Sequence, residues 1–287
     1  MQRHLATRFA RNTQVLRAES PLSEDQMRSV APSIFALQPH QSRSERYAYI
    51  PTIDVVQAMG REGFAPFMVA QGRCRTEGKA EYTKHMIRFR HAAQISTRDS
   101  ANEVILINSH DGASSYQLIS GAFRFVCHNG LIAGDVMHDQ RIKHQGNIRD
   151  DVIEGAFRVV ESFEAVNGSI DEMKSLTLSL GEQNALASAA LALRFPSPEG
   201  VEVPAPVTAA QINEPRRYAD RSPDLWTSFQ RIQENCTKGG LPGRAATGRQ
   251  MRTRAITGID GNVTINRALW VLAEEMRKLK ARSEEVV

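Results

Sequence analysis

The stretch NSHDGASSYQLISGAFRFVCHNG, residues 108–130, decides the fold. It follows the apolar, β-branched run Val104 to Ile107 and breaks into short apolar segments separated by turn residues. His110-Asp-Gly112 is a turn signal, Tyr116 to Ile119 alternates, Ser120-Gly121 signals a second turn, and Phe123 to Val126 opens a further segment. The pattern predicts a β-meander. Antiparallel reversal would return residue 128 to the neighbourhood of residue 110, gathering His110, Asp111, His128 and Asn129 at one sheet end. His110, Asp111 and His128 are therefore the candidate catalytic residues, with no reaction assigned to them.

Working outward, Ala65 to Arg75 and His85 to Ala92 read as two earlier strands. In the second, Met86, Ile87 and Phe89 bury while Arg88 and Arg90 alternate onto a cationic face. Thr52 caps a short helix that Gly60 closes. After the meander, Ile148, Val152, Ala156, Val159, Val160 and Phe163 recur at helical spacing behind Asp150 and Asp151, whose charges suit a helix N-terminus. Asn167-Gly168 stops that helix, and capping boxes at Ser169/Glu172 and Ser179/Glu182 start two more, ending near Phe195. The expected organisation is an N-terminal arm (1–46) with one short helix after Ser23, a core domain (47–195), a Pro-rich linker (196–206) and a helical C-terminal region (207–287). The fold class is α+β, a mostly antiparallel sheet with helices packed on one face.

Composition narrows the function classes. The chain has 287 residues, 41% hydrophobic and 24% charged, which suits a globular protein with a sizeable core. No apolar run approaches the roughly 18 residues of a spanning helix. The basic start lacks the apolar centre of a secretory signal, so a cytoplasmic address is expected, with no membrane partner. Cys74, Cys127 and Cys236 form no C-x-x-C pair and suggest reduced, semi-buried thiols. Charge is local: between Glu214 and Arg254 nine basic face four acidic side chains, a surplus of +5 in a chain of formal net charge +4.

That surplus centres on Lys238 to Arg254, a Gly/Arg-rich loop between helices carrying Leu225, Trp226, Phe229 and Ile232 and, beyond it, Ile265, Leu269, Leu272, Met276 and Leu279. Glycine lets backbone approach an anion and arginine forks grip phosphate, so Arg216, Arg217, Lys238, Arg244, Arg249, Arg252 and Arg254 are expected phosphate contacts. No P-loop order is present. Lys84, Arg88, Arg90 and Arg124 would line the sheet as further cations, and Tyr116 would stack a base. Trp226 and Trp270 read as core. Histidines His85, His91, His110, His128, His138 and His144 lie in or beside the sheet, yet no H-x-x-x-H or H-x-E spacing occurs, so neither a metal nor a cofactor is expected. Asn108, Asp111, Gly112, Asn129 and Gly130 are residues that turns require.

Asn108-Ser-His-Asp-Gly112, Gly121-Ala-Phe-Arg-Phe-Val-Cys-His-Asn-Gly-Leu131 and Lys84-His85, with Pro215-Arg-Arg-Tyr-Ala-Asp-Arg221, Asp224-Leu-Trp-Thr-Ser-Phe229, Gln233-Glu-Asn235 and Asn266-Arg-Ala-Leu-Trp270, resemble the phage- and plasmid-borne proteins grouped as domain of unknown function 932. The likeness spans residues 47 to 280. It implies a mobile-element setting and carries no catalytic residue with it. On this footing the expected function is DNA binding, single strands by preference, in a possible homo-oligomer that anneals or protects strands. Two alternatives stay open: a metal-dependent hydrolase or nuclease using His85, His110, Asp111 and His128, and a protein that antagonises a host defence factor by binding it.

Overall fold

The computed structural model describes residues 13–41, 49–72, 78–94, 100–124, 129–132, 140–142, 147–197 and 203–284. They divide into two compact units. The first comprises residues up to Phe163 with Thr257–Ile259, and the second Glu164–Ile256 with the C-terminal stretch from Asp260.

The first unit is built on an antiparallel sheet of β1 (Thr13–Arg17), β2 (Phe64–Gly72), β3 (His85–His91), β4 (Ser100–Asn108), β5 (Tyr116–Arg124), β6 (Asn129–Ile132) and β7 (Gln140–Ile142). Neighbours in sequence are neighbours in space, and β6 and β7 share the free edge of β5. The fold is α+β, with the expected meander at its centre. Side chains alternate across it, so Leu16, Val69, Ile87, Leu106 and Leu118 form one row over five strands. Each is buried, contributing about 1.5–3 kcal/mol relative to exposure. Helices α2 (Thr52–Arg61) and α3 (Ile148–Glu161) lay Val55, Val56, Met59, Val152, Ala156 and Val159 on that row, as their 3.6-residue spacing dictates.

The other face is buried as well, because the sheet curls. Arg17 on β1 places its guanidinium 4.7 Å from the ring centre of Phe123 on β5, although three strands separate them. Residues 13–35 are part of this core rather than an arm: β1 pairs with β2, and Met27 on α1 (Glu24–Val30), Ile34 and Phe35 are buried.

One expectation about the meander fails. Ser120-Gly121 makes no turn, since β5 pairs continuously with β4 from Gln117 opposite Ile107 to Arg124 opposite Ser100. Gly121 serves close packing instead: a Cβ there would lie 2.6 Å from Ile105 Cδ1. The chain therefore leaves β5 at the far end of the sheet. Asn129 pairs with Arg124, about 25 Å along the strands from Asn108 at the usual rise.

The second unit holds α4 (Phe163–Ser175, from its second residue), α5 (Leu180–Arg194), α6 (Ala209–Asn213), α7 (Leu225–Lys238), the hairpin β8 (Pro242–Arg244) and β9 (Gln250–Arg252), and most of α8 (Ile259–Glu284). The break between α3 and α4 falls at Ser162, so Asn167-Gly168 and Ser169 are helix interior and not a stop and a cap. Ser179 does cap α5, in a full capping box with Glu182. The described residues of the Pro-rich stretch, 196–197 and 203–206, lie inside this unit. Helix α7 is its axis, nearly every residue buried. Trp226, Phe229 and Trp270 stack edgewise or tilted in its core, as their helical spacing anticipates.

Candidate functional site

Two places concentrate polar chemistry. The first is at the Asn108 end of the sheet, where His85 opens β3, Asn108 closes β4 and Tyr116 opens β5. Their side chains converge on Thr52, the first residue of α2. Pro51 takes the N-cap position, leaving the Thr52 hydroxyl to bond elsewhere. His85 Nε2 lies 3.0 Å from Thr52 Oγ1, His110 Nε2 3.1 Å, and Asn108 donates Nδ2–H at 3.1 Å. All four residues are fully buried.

The Thr83 carbonyl, 3.2 Å from His85 Nδ1, can only accept, so a proton on Nδ1 satisfies it and lets Nε2 accept from the Thr52 hydroxyl. In that arrangement the hydroxyl has no second hydrogen to give, and His110 Nε2 donates to it. Burial, and next the neighbouring His110, lower the His85 imidazole from 6.5 to about 3 against the opposing Thr83 bond. His85 is thus neutral. Ser33 Oγ meets the same Nδ1 at 2.9 Å, and Tyr116 donates to the Ile50 carbonyl at 3.2 Å. Asn108 Oδ1 has no hydrogen-bond partner among the described residues. Both imidazoles point at a hydroxyl rather than at a shared centre, and among the described residues no group of three or more His, Cys, Asp or Glu is arranged to hold a metal ion. Asp111 does turn duty, accepting from Ala113 N at 2.9 Å beside Gly112 at φ 79°. His128, Cys127, His138 and His144 lie outside the described residues, and the register that puts Asn129 at the opposite sheet end separates it from His110.

The sheet cations are not a surface. Arg88 and Arg90 are buried and share Glu103: Arg88 Nη1 reaches Oε2 at 3.1 Å, and Arg90 Nε and Nη2 reach Oε1 at 3.1 and 3.0 Å. Arg90 also lies over the rings of Phe67 and Phe123. The alternation that takes them off the helix-covered face is real, but curling turns that face into a second interior. Arg124 and Tyr116 are buried too, so Tyr116 has no face open to a base. Lys84 is half-buried just before β3.

The second place is the C-terminal basic segment. Some of its cations are bonded within the unit: Arg217 bonds Asp220 and Glu234, Lys238 pairs with Glu234 at 2.8 Å, and the exposed Arg216 donates to Asn235 Oδ1 and the Gly239 carbonyl, each at 2.6 Å. Arg194 spans the Cys236 and Arg254 carbonyls, and burial pushes the Cys236 thiol up to about 12. Beyond Gly239, the expected loop is a β-hairpin, with Gly243 opposite Met251. A Cβ on Gly243 would come within 2.2 Å of the Pro206 carbonyl, which accepts from Arg244 N at 2.9 Å, so the ribbon is clamped to the preceding segment. Alternation puts Arg244, Gln250 and Arg252 on its outer face, where all are exposed, as are Arg249 and Arg254. From Gly239 to Ile256 there are four arginines and no carboxylate. Among the described residues none of the four is in an ion pair. An open groove of about 730 Å³ runs between the ribbon and Pro206, Val207 and Gln211.

Sequence reasoning missed Thr52 as a hub, by assigning it to the cap, and Glu103, whose lone carboxylate before the apolar run Val104–Ile107 was the available signal. Among the described residues no helix is long and apolar enough to cross a membrane. The chain is similar to two proteins of Escherichia coli (strain K12), UPF0380 protein YafZ and UPF0380 protein YfjQ, each 49% identical over 272 residues, 95% of this chain and 97% of theirs. No solved structure matches. The family model described as a domain of unknown function (DUF932) matches residues 39–270, and the chain belongs to that family.

Proposed function

We propose that the protein binds nucleic acid through the β8–β9 hairpin, single-stranded DNA before duplex, without chemistry of its own. The observation that carries the reading is the exposed, carboxylate-free row of Arg244, Arg249, Arg252 and Arg254 on a ribbon clamped at Gly243. Guanidinium forks match phosphate oxygens, and a ribbon already ordered loses little entropy when it engages them. Arg252 Nη1 is held by the Gly240 carbonyl at 2.8 Å, which leaves its remaining N–H groups for a ligand. Nothing on the ribbon is built to read base edges, so the contact is to backbone and weakens with salt. A two-stranded ribbon also fits a major groove. A flexible strand can instead bend its phosphates to fixed guanidiniums, which favours single strands.

The test is fluorescence anisotropy of a labelled single-stranded oligonucleotide and the matching duplex across a salt titration. Binding that falls steeply with salt and is tighter for the single strand supports the reading. No binding at low salt removes it, and a protein partner for the same cationic surface becomes the leading account.

A further inference from the structure

The segment Pro215-Arg-Arg-Tyr-Ala-Asp-Arg221 holds the most exposed large apolar side chain among the described residues, Tyr218, at 83%. A solitary surface tyrosine is ordinary. This one is mounted on a fixed turn. Tyr218–Asp220 forms a single 3-10 turn whose Asp220 is buried and bonded by Arg217, while Arg231 holds the Asp220 carbonyl at 2.7 Å from α7. The ring therefore projects from a rigid base, with the Arg221 guanidinium 5.3 Å from its centre.

Its setting joins it to the hairpin. Arg216 donates to the Gly239 carbonyl and Arg252 to the Gly240 carbonyl, so these two guanidiniums are anchored on consecutive peptide units. Arg216, two residues from Tyr218, is exposed. Arg252 and Arg216 are thus held side by side at the base of the ribbon, and two residues along the chain from Arg216 stands an aromatic ring already flanked by a cation. A charged track ending on an exposed ring is what an unpaired strand requires, since every base has a face to stack and a duplex hides it.

We propose that Tyr218 stacks an unpaired base of a strand whose phosphates lie on Arg216 and the hairpin arginines, and that this contact sets the preference for single strands. The proposal rests on the hairpin reading and adds its base contact. Tyr218→Ala and Tyr218→Phe, both surface changes that leave the turn's anchors in place, are compared with wild type on a labelled single strand and on its duplex. The alanine variant is expected to lose about 5- to 150-fold in single-strand affinity, with duplex affinity unchanged and phenylalanine close to wild type. Wild-type single-strand affinity in the alanine variant overturns the stacking role while the hairpin reading stands. An equal loss on single strand and duplex also overturns it. If wild type binds neither nucleic acid, the hairpin reading fails and the stacking role falls with it.

Discussion

Arg88 and Arg90 on β3, and Arg252 closing β9 with Arg254 two residues beyond it, carry the same spacing of two arginines. One pair is sealed inside the first unit on Glu103, and the other stands in solvent with no carboxylate opposite. Alternation alone therefore says which way a side chain leaves a strand, not what it meets. What decides is the partner inventory across the sheet. Glu103 waits one strand away from Arg88 and Arg90, whereas the stretch around the hairpin has no acid to offer.

This comparison predicts its largest effect at Glu103. Glu103→Gln leaves two buried guanidiniums without their counter-charge, and removing one partner of a buried pair costs about 3–5 kcal/mol. Denaturant unfolding should show that loss. Replacing the triad together, with Glu103→Leu, Arg88→Met and Arg90→Leu, should recover much of it, because apolar groups of similar volume avoid the desolvation penalty. A Glu103→Gln variant as stable as wild type would mean the pair is solvated and the contrast is false.

A smaller effect belongs to the hydrogen-bond network around Thr52. Thr52→Val keeps shape and deletes the hydroxyl on which His85, His110 and Asn108 converge, a loss of about 1–3 kcal/mol. Thr52→Ser should retain most of the stability.

The same network fixes a pH dependence. His85 is lowered from 6.5 to about 3 in the folded chain, so between those values the unfolded state binds the extra proton. The stabilisation is fully present above 6.5 and drains as pH falls, at up to about 1.4 kcal/mol per unit. The stability gap between wild type and His85→Gln, measured at pH 7 and pH 4.5, should narrow at the lower value. A constant gap would show His85 charged or exposed.

Legibility followed physical range. Helices α2, α3 and α7 were readable because their apolar spacing is local, α5 because its capping box is, and strands β3 and β4 because their apolar runs are. The curl was not, since it is a property of the whole sheet, and it turns Arg88, Arg90 and Tyr116 from surface candidates into core. Gly121 reads equally as a turn or as a close approach, and only Ile105 on the neighbouring strand distinguishes them. Misreading it moved Asn129 from one end of the sheet to the other and made a His110/His128 cluster look possible. The exposure of the hairpin arginines was legible because a run lacking carboxylates offers no internal ion-pair partner, although the ribbon geometry, set by the clamp of Gly243 on Pro206, was not. Tyr218 carried no local mark, because exposure and the anchoring of Arg216 beside Arg252 exist only in the fold.

The smallest stability effect is the sharpest test of the contrast. Arg249→Ala, Arg252→Ala and Arg254→Ala together remove three guanidiniums that support nothing in the core, so unfolding free energy should stay within about 0.5 kcal/mol of wild type. Binding should respond in the opposite sense. Every phosphate left without its guanidinium lowers the dependence of log affinity on log salt by about 0.7 for a single strand, so the triple variant should flatten that slope by about 2. Stability that falls as far as in the Glu103 variant would make these arginines structural ties like Arg217. Unchanged stability with an unchanged slope would leave the ribbon ordered and exposed but move the phosphate contacts elsewhere. Only unchanged stability with a flattened slope fits charges held out of the core for a partner, because a solvated arginine with no such role would leave the slope as it is.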